Sequence, residues 1–398
     1  MSMNTNTPLR QRLTIMLCLL PGALVGSLLA SSTALAQQQG EDSSNALEEV
    51  IVTAQKKEQS LQDISISIKA LNAQTLETVK ADSLDDIVRL VPSLSMTDLQ
   101  RGGNNVQIRG LGSNVGNVGT IAIYNDGVLS PNRIQSSGTF AEPDAALFDI
   151  ERVEVLRGPQ GTLYGEGSFG GVINIISKMP DASGFAASAG ANWFDTKGGT
   201  SDNWDLTGMI NIPLVEDTLA LRVVAYSYDH GGYIDAVNIL PLFFGLPPEF
   251  VAENANTEKV TGGRGLLRWT PNESFTGTLI YKTEKTEIGI LNYDSPDLIE
   301  FANSLGGTSF EPRYTQALFD SAYGATTKND EAILTLDFDT SIGLLSSISG
   351  WGKTKQDAAS TLMARGDAFS QELRLSSDND GAINWIVGAF YRSVDRDV

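Results

Sequence analysis

The chain has 398 residues, 41% hydrophobic and 19% charged, with 48 Asp and Glu against 28 Lys and Arg for a formal net charge of -20. That acidic balance argues against nucleic acid as a ligand. One histidine, His230, and one cysteine, Cys18, leave too little for a His- or thiol-based metal site. Oxygen-ligand sites for hard cations stay open, and no cofactor or catalytic cluster is expected.

Residues 1–36 read as a secretory signal. Arg10 and Arg12 form a basic start, residues 13–30 are mostly apolar with a Pro21-Gly22 break, and Ala34-Leu35-Ala36 is a small-x-small cleavage site. The break and the cleavage site argue against a membrane helix. No other run reaches the ~18 apolar residues a spanning helix needs. Cys18 lies inside the signal and follows Leu17, where a lipoprotein site wants a small residue, so lipidation is not expected. The 28 basic residues less Arg10 and Arg12 leave 26 against 48 acidic ones after the signal. That remainder has no cysteine and hence no disulfide.

Residues 37–60 form a leader. Its first part, 37–46 (QQQGEDSSNA), is polar and expected to be disordered. Glu49-Val50-Ile51-Val52-Thr53-Ala54 follows, rich in β formers, and then a charged spacer with Lys56, Lys57 and Glu58. An extended segment on a flexible tether can add as a strand to a partner's sheet edge. It can also be the first strand of the next domain, although its place between polar flanks favours the tethered segment.

Residues 61–180 read as a compact α+β domain. Ile64, Ile66 and Ile68 alternate with serines and predict a half-buried strand. Ser83 caps a predicted helix carrying Asp85 and Asp86 in its first turn, with Leu84, Ile87, Val88 and Val91 on one face and Pro92 as its stop. Short strands are predicted at 106–108, 120–124, 152–156 and 172–176, with a tight turn at Asn125-Asp126-Gly127. The glycines at 110, 112, 158, 161, 165, 167, 170 and 171 do not build a phosphate loop, because 166–170 has no Lys at the required place. Tight turns and close approach explain them better.

After Pro180 the texture becomes period-2 alternation in segments of nine to twelve residues, near 185–193, 204–212, 219–229, 259–269, 275–286, 331–338, 344–352, 369–377 and 384–393. Phe275, Gly277, Leu279 and Tyr281 share one face, and Thr276, Thr278, Ile280, Lys282 and Glu284 the other. Trp385, Val387, Ala389 and Tyr391 repeat the rule. Strands of about 9–11 residues, apolar outward and polar inward, are those of a membrane barrel. Short connections (213–218, 270–274, 339–343, 378–383) alternate with long ones (194–203, 230–258, 287–330, 353–368). Short periplasmic turns alternating with long external loops mark such barrels more than they mark a soluble sandwich.

The order of these parts resembles the front half of a TonB-dependent outer-membrane receptor. The residues that carry the resemblance are 49–54, then Val106-Gln107-Ile108-Arg109-Gly110, then 150–161 (IERVEVLRGPQG), Leu163-Tyr164-Gly165 and 170–176 (GGVINII). The resemblance implies an α+β plug domain followed by an antiparallel transmembrane β-barrel at 181–398. The family's barrel has 22 strands, and about nine are legible here. A 120-residue plug would not fit a nine-stranded barrel, and an open edge in lipid is costly. The expectation is therefore a truncated receptor lacking the family's usual terminal aromatic, whose alternative reading is non-functional.

By resemblance, Glu49, Val50, Ile51, Val52, Thr53 and Ala54 are the TonB box. Arg109 and Arg157 point to the barrel wall to pair with barrel glutamates, with Glu151 and Glu154 helping to hold them. Glu372 faces the lumen by alternation but is not assigned as that partner. Outward plug loops 111–119 and 129–140 offer Asn114, Asn117, Asn132, Arg133 and Gln135 as substrate contacts, and external loops add Tyr233, Phe243, Phe244 and Phe250. The implied partners are TonB with its ExbB-ExbD energising complex, the barrel-assembly machinery, outer-membrane lipid, and an extracellular solute such as a ferric siderophore. The implied place is the outer membrane of a Gram-negative bacterium, reached through the Sec signal. Rival readings are a passive porin-like channel, which would need neither box nor plug, and a secreted β-rich enzyme, for which no acid/base cluster is found.

Overall fold

The computed structural model describes residues 13–16 and, within 51–397, all but 54, 58, 63, 82, 101–102, 113–119, 131–145, 198, 200–201, 239–240, 242–243, 245, 247–248, 290–313, 318–323, 359–361 and 378–382. In chain order the expected signal supplies β1 (Leu13–Met16) and the leader supplies β2 (Ile51–Val52) and β3 (Gln59–Ser60). The next block supplies β4 (Ile68–Asn72), α1 (Ala73–Val79), α2 (Leu84–Val88), β5 (Leu94–Gln100), β6 (Gly103–Ile108), β7 (Leu111–Gly112), β8 (Ile121–Asn125), β9 (Val128–Leu129), β10 (Ile150–Arg157), α3 (Gly161–Tyr164) and β11 (Gly171–Ser177). Long strands follow: β12 (Ala186–Phe194), β13 (Asn203–Val215), β14 (Leu219–His230), β17 (Glu258–Asn272), β18 (Phe275–Ile288), β20 (Ala325–Thr340), β21 (Gly343–Ala358), β22 (Leu362–Ser376) and β23 (Ile386–Asp397). Three short strands, β15 (Asp235–Asn238), β16 (Glu249–Ala252) and β19 (Tyr314–Ala317), form a small sheet of their own in the connections.

The first domain is built on a five-stranded mixed sheet in the order β4-β10-β11-β8-β9, with β11 parallel to β8 and the other pairs antiparallel. One face carries Leu71, Ile121, Ile123, Val153, Val155, Ile173 and Ile175, covered by α1, α2, β5 and β6. The other face carries Ala122, Tyr124, Leu156 and Val172, covered by Tyr164 and by Val52 of the leader. Ile64 and Ile66 pack against this second cluster, but the strand starts only at Ile68, where pairing with β10 begins. Their alternation is met by irregular backbone. Helix α2 starts after Ser83 as expected, although the serine hydroxyl donates to Asp86 (3.2 Å) rather than capping the backbone. Helix α1 had no sequence signal assigned to it; Asn72 caps it through the Thr75 N–H at 2.9 Å. Asp126 and Gly127 turn with φ of 47° and 86°, the positive pair a two-residue hairpin of this kind demands.

All nine predicted long strands are present and antiparallel in one open sheet. Several run longer than expected, up to 16 residues. The expected long connection 353–368 is instead mostly strand, because β21 and β22 pair as far as Ala358 and Leu362. Leu13–Met16, within the expected signal, adds to the edge of β12; a free edge there would expose unpaired backbone groups. The faces alternate as predicted: Thr278 and Ile280 are buried inward, whereas Leu279 (45% exposed) and Tyr281 (51%) face outward. Trp269, Phe275 and Phe338 form an outward aromatic group near the short turns, with centroids 5.5 and 4.9 Å apart. Among the described residues no helix is long and apolar enough to cross a membrane, which says nothing of crossing by strands.

The first domain sits against the inner face of this wall. Val128, at the tip of the Asp126-Gly127 turn, packs on Leu266, Ile280, Ile333 and Ile348 of four neighbouring strands. Gly350 lets it do so: a Cβ there would collide with the Val128 side chain.

Candidate functional site

The leader is folded onto the plug-like domain by a small set of groups. Ile51–Val52 pairs with Gln59–Ser60 in a short antiparallel hairpin. Val52 is fully buried while Ile51 is 49% exposed. Next to them the Thr53 N–H donates to Glu154 Oε1 at 2.8 Å, and the Thr53 hydroxyl lies 3.2 Å from both Glu154 oxygens. Asn174 Nδ2 donates to the Thr53 hydroxyl at 3.4 Å, and the Tyr164 hydroxyl donates to the Thr53 carbonyl at 3.4 Å. Glu154 is itself fully buried and accepts from Arg152 Nε at 2.9 Å. The segment expected to be held free on a tether is thus docked through Val52 and Thr53. Its apolar residue finds a buried slot and its amide finds a buried carboxylate. Glu49, Val50 and Ala54 lie outside the described residues.

Lys56, at φ 62°, turns the leader toward the barrel. Its ammonium sits 3.0 Å from Glu372 of β22 and over the rings of Tyr124 and Tyr164, 5.0 and 4.8 Å from their centroids. Burial pushes the Lys56 ammonium below its ordinary range, while Glu372 opposes that shift. Lys57 donates to Ser377, on the short connection after β22, at 3.3 Å. Burial, with the Glu154 charge nearby, pushes the Tyr164 phenol well up.

The arginine lock takes a different form from the expected one. Arg109 is exposed, at φ 53°, and donates to the Ser67 hydroxyl at 3.4 Å. The Arg157 N–H donates to the Ser67 carbonyl at 2.9 Å, and its buried Nε has no hydrogen-bond partner among the described residues. The two arginines therefore converge on Ser67, and neither forms an ion pair with the barrel among the described residues. Glu151 and Glu154 hold Arg152, at 2.5 and 2.9 Å, not Arg109 or Arg157.

The ion pairs that do join plug and barrel mostly run with the opposite polarity, barrel cation to plug acid. Arg222 of β14 clasps Asp149 with two bonds of 2.8 and 2.5 Å. Arg264 of β17 donates to the Phe148 and Asp149 carbonyls at 2.6 and 2.5 Å. Lys282 of β18 meets Asp126 at 2.7 Å, and Arg392 of β23 meets Glu166 at 2.8 Å. Burial raises the Asp126 carboxyl, but Lys282 and the Ser177 N–H and hydroxyl outweigh it and hold the group below its ordinary range. Lys282 was legible as lumen-facing, and so was Glu372. What sequence reasoning lacked was the register of the wall around the plug, which decides who meets whom.

Between the leader, the turn at Asp126 and the inner wall lies a cavity of about 600 Å³ with a mixed lining, charged at Lys56, Arg152 and Arg374 and apolar at Met179, Ile280 and Ile348. No group of three metal-binding side chains exists among the described residues. The expected substrate contacts Asn114, Asn117, Asn132, Arg133 and Gln135, and Phe243, lie outside the described residues, and Phe250 lies in β16. Tyr233 and Phe244 are exposed at 38% and 75%.

Residues 60–172 match the family model described as the TonB-dependent receptor plug domain. The pesticin receptor of Yersinia pestis is 35% identical over 166 residues, covering 40% of this chain and 22% of that protein. The vitamin B12 transporter BtuB of Vibrio vulnificus is 36% identical over 148 residues, covering 36% and 23%. Among solved structures, the ferric yersiniabactin uptake receptor FyuA of Yersinia pestis matches with a TM-score of 0.65 at 20% identity, covering 83% of this chain and 49% of that one. The ferripyoverdine receptor of Pseudomonas aeruginosa matches with a TM-score of 0.62 at 17% identity, covering 87% and 44%. The matched part thus spans about a fifth of the curated relatives and about half of the solved receptors.

Proposed function

The chain belongs to the TonB-dependent receptors, with a plug followed by an antiparallel barrel wall, and from that premise we propose that it serves active uptake of a scarce solute across the outer membrane of a Gram-negative cell. The solute is of the ferric siderophore type, the class named for two of the solved receptors it resembles. A cobalamin-like solute is the second candidate, from the transporter among its relatives. The protein acts by binding and movement, with no covalent chemistry.

The single observation that carries the mechanism is the docking of residues 51–53 on Glu154. The buried carboxylate links the segment TonB would grip to β10, an interior strand of the plug sheet. A pull on residues 49–54 by TonB, energised through ExbB-ExbD, loads the Thr53–Glu154 bonds first and the Lys56–Glu372 pair next. Meanwhile Asp149 and Asp126 keep the far side of the plug on the wall. The cavity between them is where the solute's path opens. Arg109 and Arg157, converging on Ser67, stiffen the end of the sheet near β4. The substrate contacts proposed at Asn114, Asn117, Asn132, Arg133 and Gln135 would receive the solute first.

The test is accumulation of radiolabelled iron, supplied as a panel of ferric siderophores, and of labelled cobalamin, in cells carrying the protein with or without residues 49–54. The expected result is uptake that stops on deletion and on collapse of the proton gradient. Uptake unchanged by both would establish a passive porin-like channel instead.

A further inference from the structure

The single histidine of the chain stands where four strand ends meet. Phe194 ends β12, Asp205 lies near the start of β13, His230 ends β14 and Glu258 begins β17. His230 Nε2 lies 2.7 Å from the buried Asp205, and Nδ1 lies 3.7 Å from Glu258. The Phe194 ring meets the imidazole edge-on at 5.4 Å, and Tyr228 of the same strand stacks with it at 6.3 Å. Further down this inner face the Tyr226 hydroxyl donates to Glu284 at 2.6 Å. On the outer face Asp229 and Lys259 pair with each other at 3.6 Å. A neutral imidazole carries one N–H and can serve one carboxylate, whereas the imidazolium donates from both nitrogens. A carboxylate at each nitrogen therefore selects the charged ring.

The height of the ring places it beyond the lipid. Leu219 stands opposite Trp269 of the aromatic group near the short turns, and His230 is eleven residues further along β14. That is about 36 Å along a strand rising ~3.3 Å per residue. A strand tilt of ~40° makes it about 28 Å along the membrane normal, past the ~25 Å apolar band of a barrel. Burial lowers the proton affinity of the imidazole, but the bonds to Asp205 and Glu258 outweigh it and hold His230 above its ordinary value. Its stabilising effect is thus complete below the unfolded value of about 6.5 and is lost as pH rises through the higher folded value.

Directly beyond the ring, the arm that leaves β14 and the arm that enters β17 are tied to each other. The Tyr233 and Ile234 N–H groups donate to Asn256 Oδ1 at 2.7 and 2.8 Å, and the Asn254 N–H donates to Asp235 at 3.0 Å. Gly232 passes so close to the Asn254 carbonyl that a Cβ there would strike it. The two arms therefore move as one piece, rooted on the register pair His230 and Glu258. Asp205 ties that root to β13.

We propose that Asp205, His230 and Glu258 form a pH-sensitive clamp on the root of these arms, closed while the imidazole is protonated and loosened when its proton leaves. Without the proton, two carboxylates face one uncharged ring, and the His230–Glu258 link breaks because Asp205 is the nearer and more buried acceptor. The clamp rests on the barrel wall and not on the transport cycle, and its test uses no solute. The receptor, purified in neutral detergent without a histidine tag, has one imidazole to follow by proton NMR between pH 5 and 10. A nitroxide on Tyr233→Cys, an exposed position, reports the arms. The imidazole midpoint is expected above 6.5, and the mobile spectral component is expected to grow roughly fivefold across it, as for loss of one partly exposed ion pair. Glu258→Gln should show the mobile component at every pH while His230 still titrates, and His230→Gln should give a spectrum flat in pH. Lys259→Gln leaves the clamp intact and should respond as the parent does, and heat-modifiable migration reports that each variant retains its barrel. A spectrum unchanged through the imidazole titration would overturn the proposal. So would a midpoint below 6.5, or E258Q matching the parent at neutral pH.

Discussion

Replacing Glu154 by Gln keeps the shape of the buried acceptor and removes its charge. In the parent, Glu154 receives the Thr53 N–H at 2.8 Å and the Thr53 hydroxyl at 3.2 Å. A hydrogen bond to a charged group contributes about 1 kcal/mol more than a neutral one, so two such bonds weaken by about 2 kcal/mol together. That shifts the docked-to-released ratio of the leader roughly 30-fold toward release. Val52 stays buried in both proteins, so its contribution cancels. A nitroxide on Ile51→Cys reports the ratio, since Ile51 is half exposed and the sole native cysteine, Cys18, lies in the expected signal. The parent should give a broad, immobilised spectrum, and E154Q should add a sharp mobile component. An E154Q spectrum identical to the parent's would refute the assignment of Glu154 as the group that holds the leader.

Glu372→Gln leaves the Lys56 ammonium buried without its carboxylate and should lower plug stability by about 3 kcal/mol, whereas Lys56→Met, which removes the charge itself, should cost less; the order of the two in denaturant unfolding checks the latch. Asp149→Ala strands Arg222 and Arg264 together and should cost about 3–5 kcal/mol, seen as plug residues becoming open to protease in folded barrels. Asp126 has a folded carboxyl held below its ordinary range, so its contribution is complete above the unfolded value of about 3.9 and fades as pH falls through the lower folded value. In acid unfolding, Asp126→Asn should flatten that part of the profile while leaving neutral-pH slopes unchanged.

The wall was the most legible part of this molecule. Period-2 alternation depends only on which side of a strand meets lipid, and each strand carries that information locally. Its ends were less so: β21 and β22 continue past the apolar stretch because strand pairing does not stop where lipid does. In the plug, the Asp126-Gly127 turn and the strand at Ile150–Arg157 were readable because their chemistry is local. Ile64 and Ile66 mimicked a strand because an irregular segment over one apolar cluster can alternate as well. The plug–wall contacts were not readable. Asp149 and Arg222 lie far apart in sequence, and only the winding of the wall about the plug brings them together. The docking of Thr53 was hidden for the same reason, since the sequence pairs Glu154 with the lock arginines and gives no sign that the leader folds back onto it.

The most direct test of the account is a removable tether on the docked leader. The Asn174 amide nitrogen and the Thr53 hydroxyl are 3.4 Å apart, so T53C/N174C brings two thiols close enough to be tied by a short crosslinker that carries its own reducible disulfide. Labelled ferric siderophore uptake is then compared in crosslinked and reduced cells. The account predicts that the crosslinked protein binds solute without transporting it and that reductant restores uptake. Equal uptake in both states would contradict the claim that release of this segment opens the path.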